Sequence, residues 1–103
     1  MRTPIACTLD AAGAQAQLDE WARLRPLCRR TDTTADGATL WFDHQADAAL
    51  RAVAAKEAAC CSFLRLEVRP DADLLRLDIT SEQHEALPVI QLLARQAGGR
   101  NDR

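Results

Sequence analysis

The sequence predicts an α+β fold: an antiparallel sheet of about five strands with helices on one face. Three observations carry this expectation. Short stretches alternate apolar and polar residues with the period of a strand, and longer Ala- and Leu-rich stretches repeat with the period of a helix. The two kinds succeed one another in the order β-α-β-β-α-β-β-α. That order contains a ferredoxin-like core, strand–helix–hairpin–helix–strand, with a further strand and a C-terminal helix appended. At 103 residues the chain makes a single domain, 1–103, since two separate cores would each be too small. Its end, Gly98 to Arg103, reads as a disordered tail.

The first element is a strand over Ile5–Leu9, where Ile5, Cys7 and Leu9 share the apolar face. Asp10 stands at a helix N-cap position, and Leu18, Trp21, Leu24 and then Leu27 or Cys28 recur at helical spacing until Pro26 ends or bends the helix. Cys28 is expected to be buried at that helix end. Asp36-Gly37 signals a hairpin joining Thr31–Thr34 to Ala38–Phe42, because both residue types tolerate positive φ. Asp43 to Asp47 offer caps for a helix running to about Cys61, with Leu50, Val53, Ala54, Glu57, Cys60 and Cys61 on one stripe. A second hairpin, turning at Asp71-Ala72, pairs Leu64 with Ile79, Leu66 with Leu77 and Val68 with Leu75 on its inner face. The same register sets Arg65 against Asp78 and Glu67 against Arg76 outside. The last helix starts near Thr80 or Ser81 and buries Leu87, Ile90, Leu93, Ala94 and Ala97, unless Pro88 forces a later start.

Composition bounds the function. Apolar residues make up 48 % of the chain, but 20 of them are Ala, so the 14 Leu and four aromatics supply most of the core volume. That suffices for one packed layer and leaves no room for an organic cofactor, so any ligand must be small. No run approaches the ~20 apolar residues of a membrane span, and the charged opening thirty residues carry no leader signature. A cytoplasmic location follows as the expectation, and its four cysteines are then expected to be thiols. Twelve Arg against one Lys points to a GC-rich bacterial genome. Net charge of −2 argues against nucleic acid, and the Arg23, Arg25, Arg29, Arg30 cluster reads as a solvated helix end.

Glu57-Ala-Ala-Cys60-Cys61 is the stretch that carries chemistry. On a helix, Cys60 is i+3 and Cys61 is i+4 from Glu57, so one carboxylate and two sulfurs converge. Cys7 points inward from the first strand and completes a candidate metal site of Cys7, Cys60, Cys61 and Glu57. Such donors suit Zn(II), Cd(II), Hg(II), Cu(I) or arsenite. A carboxylate on an apolar stripe needs a partner, for which Arg65, water, a main-chain N–H or a metal would serve. The helix C-terminus and Glu57 both disfavour a thiolate, so an activated nucleophile is the weaker reading. His44 lies about 24 Å from Cys60 along the helix, and His84 is expected to be exposed. Two alternatives stand beside ion binding. The cysteines could be core in an interaction domain that dimerises through a sheet edge or its Arg-rich helix. They could also serve a thiol-dependent redox enzyme with Cys7 as resolving thiol.

Ile5-Ala-Cys7-Thr-Leu9, Trp21 in a helix, and Glu57-Ala-Ala-Cys60-Cys61-Ser-Phe63-Leu64 together resemble a family of small bacterial proteins. Its members open with Cys-Thr-Leu and carry a later Glu-x-x-Cys-Cys-(Pro/Ser)-Phe motif. Similar segments are appended to MerR-type regulators, some of which sense metals through thiols. The resemblance spans roughly residues 5 to 93 and implies that Cys7, Cys60 and Cys61 form the family's site. Cys28 does not belong to the pattern.

Overall fold

Alternating and helical stretches resolve into three α-helices and four strands in the computed structural model, which describes residues 11–98. The order is α1 (Ala11–Arg23), β1 (Cys28–Thr33), β2 (Gly37–Phe42), α2 (Asp47–Cys60), β3 (Arg65–Asp71), β4 (Leu74–Thr80) and α3 (Leu87–Gly98). Short 3-10 turns over Arg25–Leu27, His44–Ala46 and His84–Ala86 precede β1, α2 and α3. The α+β class is as expected. The strand expected over Ile5–Leu9, with Cys7 on it, lies outside the described residues; of the tail expected over Gly98 to Arg103, Gly98 instead closes α3 and the rest lies outside the described residues.

All neighbours in the sheet are antiparallel, in the order β1-β2-β4-β3. This order of the four described strands does not confirm the ferredoxin-like expectation: β2 pairs with β1 on one edge and β4 on the other. The described sheet is two hairpins joined through their second strands.

Proline sets two of the boundaries. Pro26 has no N–H to continue α1, which stops at Arg23 and passes into the 3-10 turn. Cys28 therefore opens β1 and is half-buried, rather than closing a helix as expected. Pro88 is the second residue of α3, where its missing N–H costs nothing, so this helix starts at Leu87 and not near Ser81. Ile90, Leu93, Ala94 and Ala97 are buried as expected, while Leu87 is only half-buried. Before α2, the Asp43 carboxylate accepts from the Gln45 N–H and turns the chain into the helix.

Both hairpins differ from expectation in register. In the second, Leu66 faces Ile79, Val68 faces Leu77 and Pro70 faces Leu75, a shift of two residues. The turn is Ala72-Asp73, with Ala72 at φ 56°. A two-residue shift keeps every side chain on its face, so alternation alone cannot distinguish the registers. It does set Glu67 against Asp78 and Arg69 against Arg76. Asp78 relieves both conflicts by accepting from Arg69 and Arg76, each at 3.1 Å. In the first hairpin Thr34 and Gly37 bond to each other, which makes Ala35-Asp36 the turn.

Gly37 is required for a different reason: a Cβ there would lie 1.8 Å from the Ile79 carbonyl oxygen on β4. Gly37→Ala is accordingly expected to force β2 and β4 apart and cost about 3 kcal/mol, seen as a lower urea midpoint with unchanged slope.

Leu40, Phe42, Leu75, Leu77 and Ile79 cover the sheet's inner face and meet Trp21, Leu50, Val53, Ile90 and Leu93 from the helices. The outer face is polar. There Trp41 lies between the guanidinium groups of Arg30, at 4.8 Å, and Arg76, at 5.8 Å, and donates to Asp71. No helix among the described residues is long and apolar enough to cross a membrane.

Candidate ion-binding site

The site forms where the end of α2 meets α1. Helical spacing puts Glu57, Cys60 and the capping residue Cys61 on the face of α2 that carries Leu50, Val53 and Ala54. The chain leaves the helix at Cys61, whose N–H still donates to the Glu57 carbonyl at 2.8 Å. One carboxylate oxygen and two sulfurs thus lie within 4.8 Å of one another. Glu57 is 3 % exposed and Cys61 fully buried, while Cys60 is half-buried.

A buried carboxylate must be hydrogen-bonded, and α1 supplies the donors. Trp21 Nε1 donates to Glu57 Oε1 at 2.8 Å, and Gln17 Nε2 donates to the same oxygen at 3.3 Å. Gln17 Nε2 also donates to Cys60 Sγ at 3.4 Å. Arg65, a candidate partner for Glu57, is exposed on β3. At the rim an ion pair between Lys56 and Glu20, at 2.9 Å, ties the same two helices together. The buried polar side-chain atoms among the described residues all have hydrogen-bond partners.

The two carboxylate oxygens therefore face different surroundings. Oε1 receives the α1 donors, and Oε2 lies 3.0 Å from Cys61 Sγ. The two sulfurs are 3.6 Å apart. Cys61 is disulfide-bonded, which corrects the expectation that all four cysteines are thiols. Composition can suggest a compartment, but it does not set the redox state of an individual sulfur. Cys28 and Cys60 are free thiols. The partner of Cys61 is not among the described residues. As a disulfide sulfur Cys61 has no proton to donate, so its contact with Oε2 becomes an S–H···O hydrogen bond only upon reduction.

Burial, and then the Glu57 charge, push the Cys60 thiol above its ordinary value, while the Gln17 N–H works in the opposite sense. A larger share of Cys60 is therefore protonated at neutral pH than for a free thiol. Glu57→Gln removes the opposing charge and is expected to speed Cys60 alkylation several-fold at pH 8. Mass-resolved iodoacetamide labelling would follow it, and an unchanged rate would mean that the carboxylate does not act on this sulfur.

Of the expected site residues, Glu57, Cys60 and Cys61 are brought together, and Cys7 lies outside the described residues. His44 and His84 are exposed on the turns before α2 and α3, and neither joins the group. Cys28 stands apart on β1, where its sulfur contacts the Arg30 carbonyl and the Thr31 hydroxyl. In the arginine cluster, Arg29 pairs with Asp43 and Arg30 with Asp32. Gln17 and Trp21 were not anticipated as site residues. Their i, i+4 spacing on α1 was the available signal, since it puts two N–H donors on one face. Comparison with family models, curated proteins and solved structures finds no match to this chain.

Proposed function

We propose that the protein binds or senses a thiophilic metal or metalloid ion, with Cys60, Cys61 and Glu57 as ligands in the reduced state. The observation that carries this reading is the convergence of Glu57, Cys60 and Cys61 within 4.8 Å. Cys7 is the remaining cysteine and the proposed third sulfur ligand. Trp21 and Gln17 act one shell further out, holding Oε1 so that Oε2 stays aimed at the sulfurs.

The sulfur spacing is compatible with a shared ion. With metal–sulfur bonds of about 2.3 Å, two thiolates on a tetrahedral ion sit about 3.8 Å apart, and on a linear one about 4.6 Å. The 3.6 Å between Cys60 and Cys61 is within the span that one ion can bridge. Zn(II), Cd(II), Hg(II), Cu(I) and arsenite all have the affinity for sulfur that such a donor set requires. No organic cofactor is needed. The raised Cys60 thiol counts against an enzyme that uses it as a free nucleophile.

The test is a Cd(II) titration of the reduced protein, followed by thiolate-to-metal charge-transfer absorbance and by alkylation of each cysteine. Saturating Cd(II) is expected to protect Cys60 and Cys61 and to leave Cys28 reactive. Full reactivity of Cys60 and Cys61 at saturation would sink the reading.

A further inference from the structure

We propose that the oxidation state of Cys61 gates the site: the disulfide form excludes the ion, and reduction by a dithiol admits it. This inference rests on the ion-binding reading above. Thiolate, not disulfide, sulfur binds metal. Cys61 is disulfide-bonded while Cys60, 3.6 Å away, is a free thiol. The other two donor atoms are already placed in this oxidised form, because Gln17 holds Cys60 Sγ and, with Trp21, orients the Glu57 carboxylate. Oxidation therefore withdraws the Cys61 sulfur from a site whose other described donors, Cys60 and Glu57, are already placed.

The chemistry balances through the dithiol. Its first thiolate opens the Cys61 disulfide to a mixed disulfide, and its second thiol resolves that bond. The donor leaves as a disulfide, and two electrons and two protons have passed to the protein. A divalent ion then binds the thiolates of Cys60 and Cys61 and releases their protons. The converse also holds: an ion shared by the two sulfurs shields Cys61 from reoxidation, and oxidation expels the ion.

The experiment compares Cd(II) binding by the full chain as oxidised and after treatment with dithiothreitol, with the reductant removed anaerobically. In denaturant, mass-resolved alkylation of the oxidised chain should label Cys28 and Cys60 and spare Cys61, and reduction should expose Cys61. Loss of an outer-shell partner already weakens metal sites by about 10–100-fold, so loss of the Cys61 ligand should weaken Cd(II) binding by about 100-fold or more. Diamide added to the loaded protein should release Cd(II) as two thiols disappear. Labelling of Cys61 before reduction, or equal Cd(II) affinity in both forms, would overturn the gate and leave the ion reading standing. Absence of binding in either form would overturn both.

Discussion

Trp21→Ala is expected to lower stability by about 4 kcal/mol, the range found for large aromatic truncations in a core. Trp21 is fully buried and joins α1 to the layer beneath it, so the cavity cannot be filled by solvent without opening the helix pair. For a domain of this size that loss is a large fraction of the total. The more informative variant is Trp21→Phe, which keeps most of the buried ring but deletes the N–H that donates to Glu57 Oε1 at 2.8 Å. It should cost about 1–3 kcal/mol, because the carboxylate keeps its burial and loses the Trp21 donor. In a Glu57→Leu background the same substitution should cost much less, since no carboxylate remains to satisfy. Chemical denaturation of the four proteins gives this coupling directly. Equal costs in both backgrounds would mean that Trp21 acts by packing alone.

The second large effect falls on the ligands. Cys60→Ser is expected to weaken Cd(II) binding by the reduced protein by about 100-fold or more, beyond the 10–100-fold typical of an outer-shell residue. Cys60 is half-buried at the last turn of α2, so this change should leave the circular dichroism spectrum and the denaturation midpoint nearly unchanged. Gln17→Leu removes the amide shared by Cys60 Sγ and Glu57 Oε1 and should fall inside the outer-shell range. Cys28→Ser should have no effect on binding, because Cys28 sits on β1 outside the donor group. Calorimetric titration of the three variants ranks them, and an effect of Cys28→Ser equal to that of Cys60→Ser would relocate the site.

Local rules recovered the donor group, and tertiary contacts hid its support. Glu57, Cys60 and Cys61 belong to one helical stripe, and the i, i+3, i+4 relation brings them together whatever the rest of the chain does. Gln17 and Trp21 reach them only because α1 lies across α2, and no local signal specifies that packing. Trp21 was legible as core, but its N–H becomes informative only beside a buried carboxylate. The second hairpin shows a different limit. Its inner and outer faces follow from alternation, yet a two-residue shift preserves both, and the choice falls to the Ala72-Asp73 turn and the position of Asp78. Gly37 was read as a turn residue that tolerates positive φ, but the turn is Ala35-Asp36 and what Gly37 provides is close approach to β4. The disulfide state of Cys61 is not encoded in composition.

The most direct measurement of the site is X-ray absorption at the zinc edge of the reduced, Zn(II)-loaded protein. Coordination by Cys60, Cys61 and Glu57 predicts at least two sulfurs at about 2.3 Å and an oxygen shell at about 2.0–2.2 Å. A first shell of nitrogen and oxygen alone, with no sulfur, would contradict it.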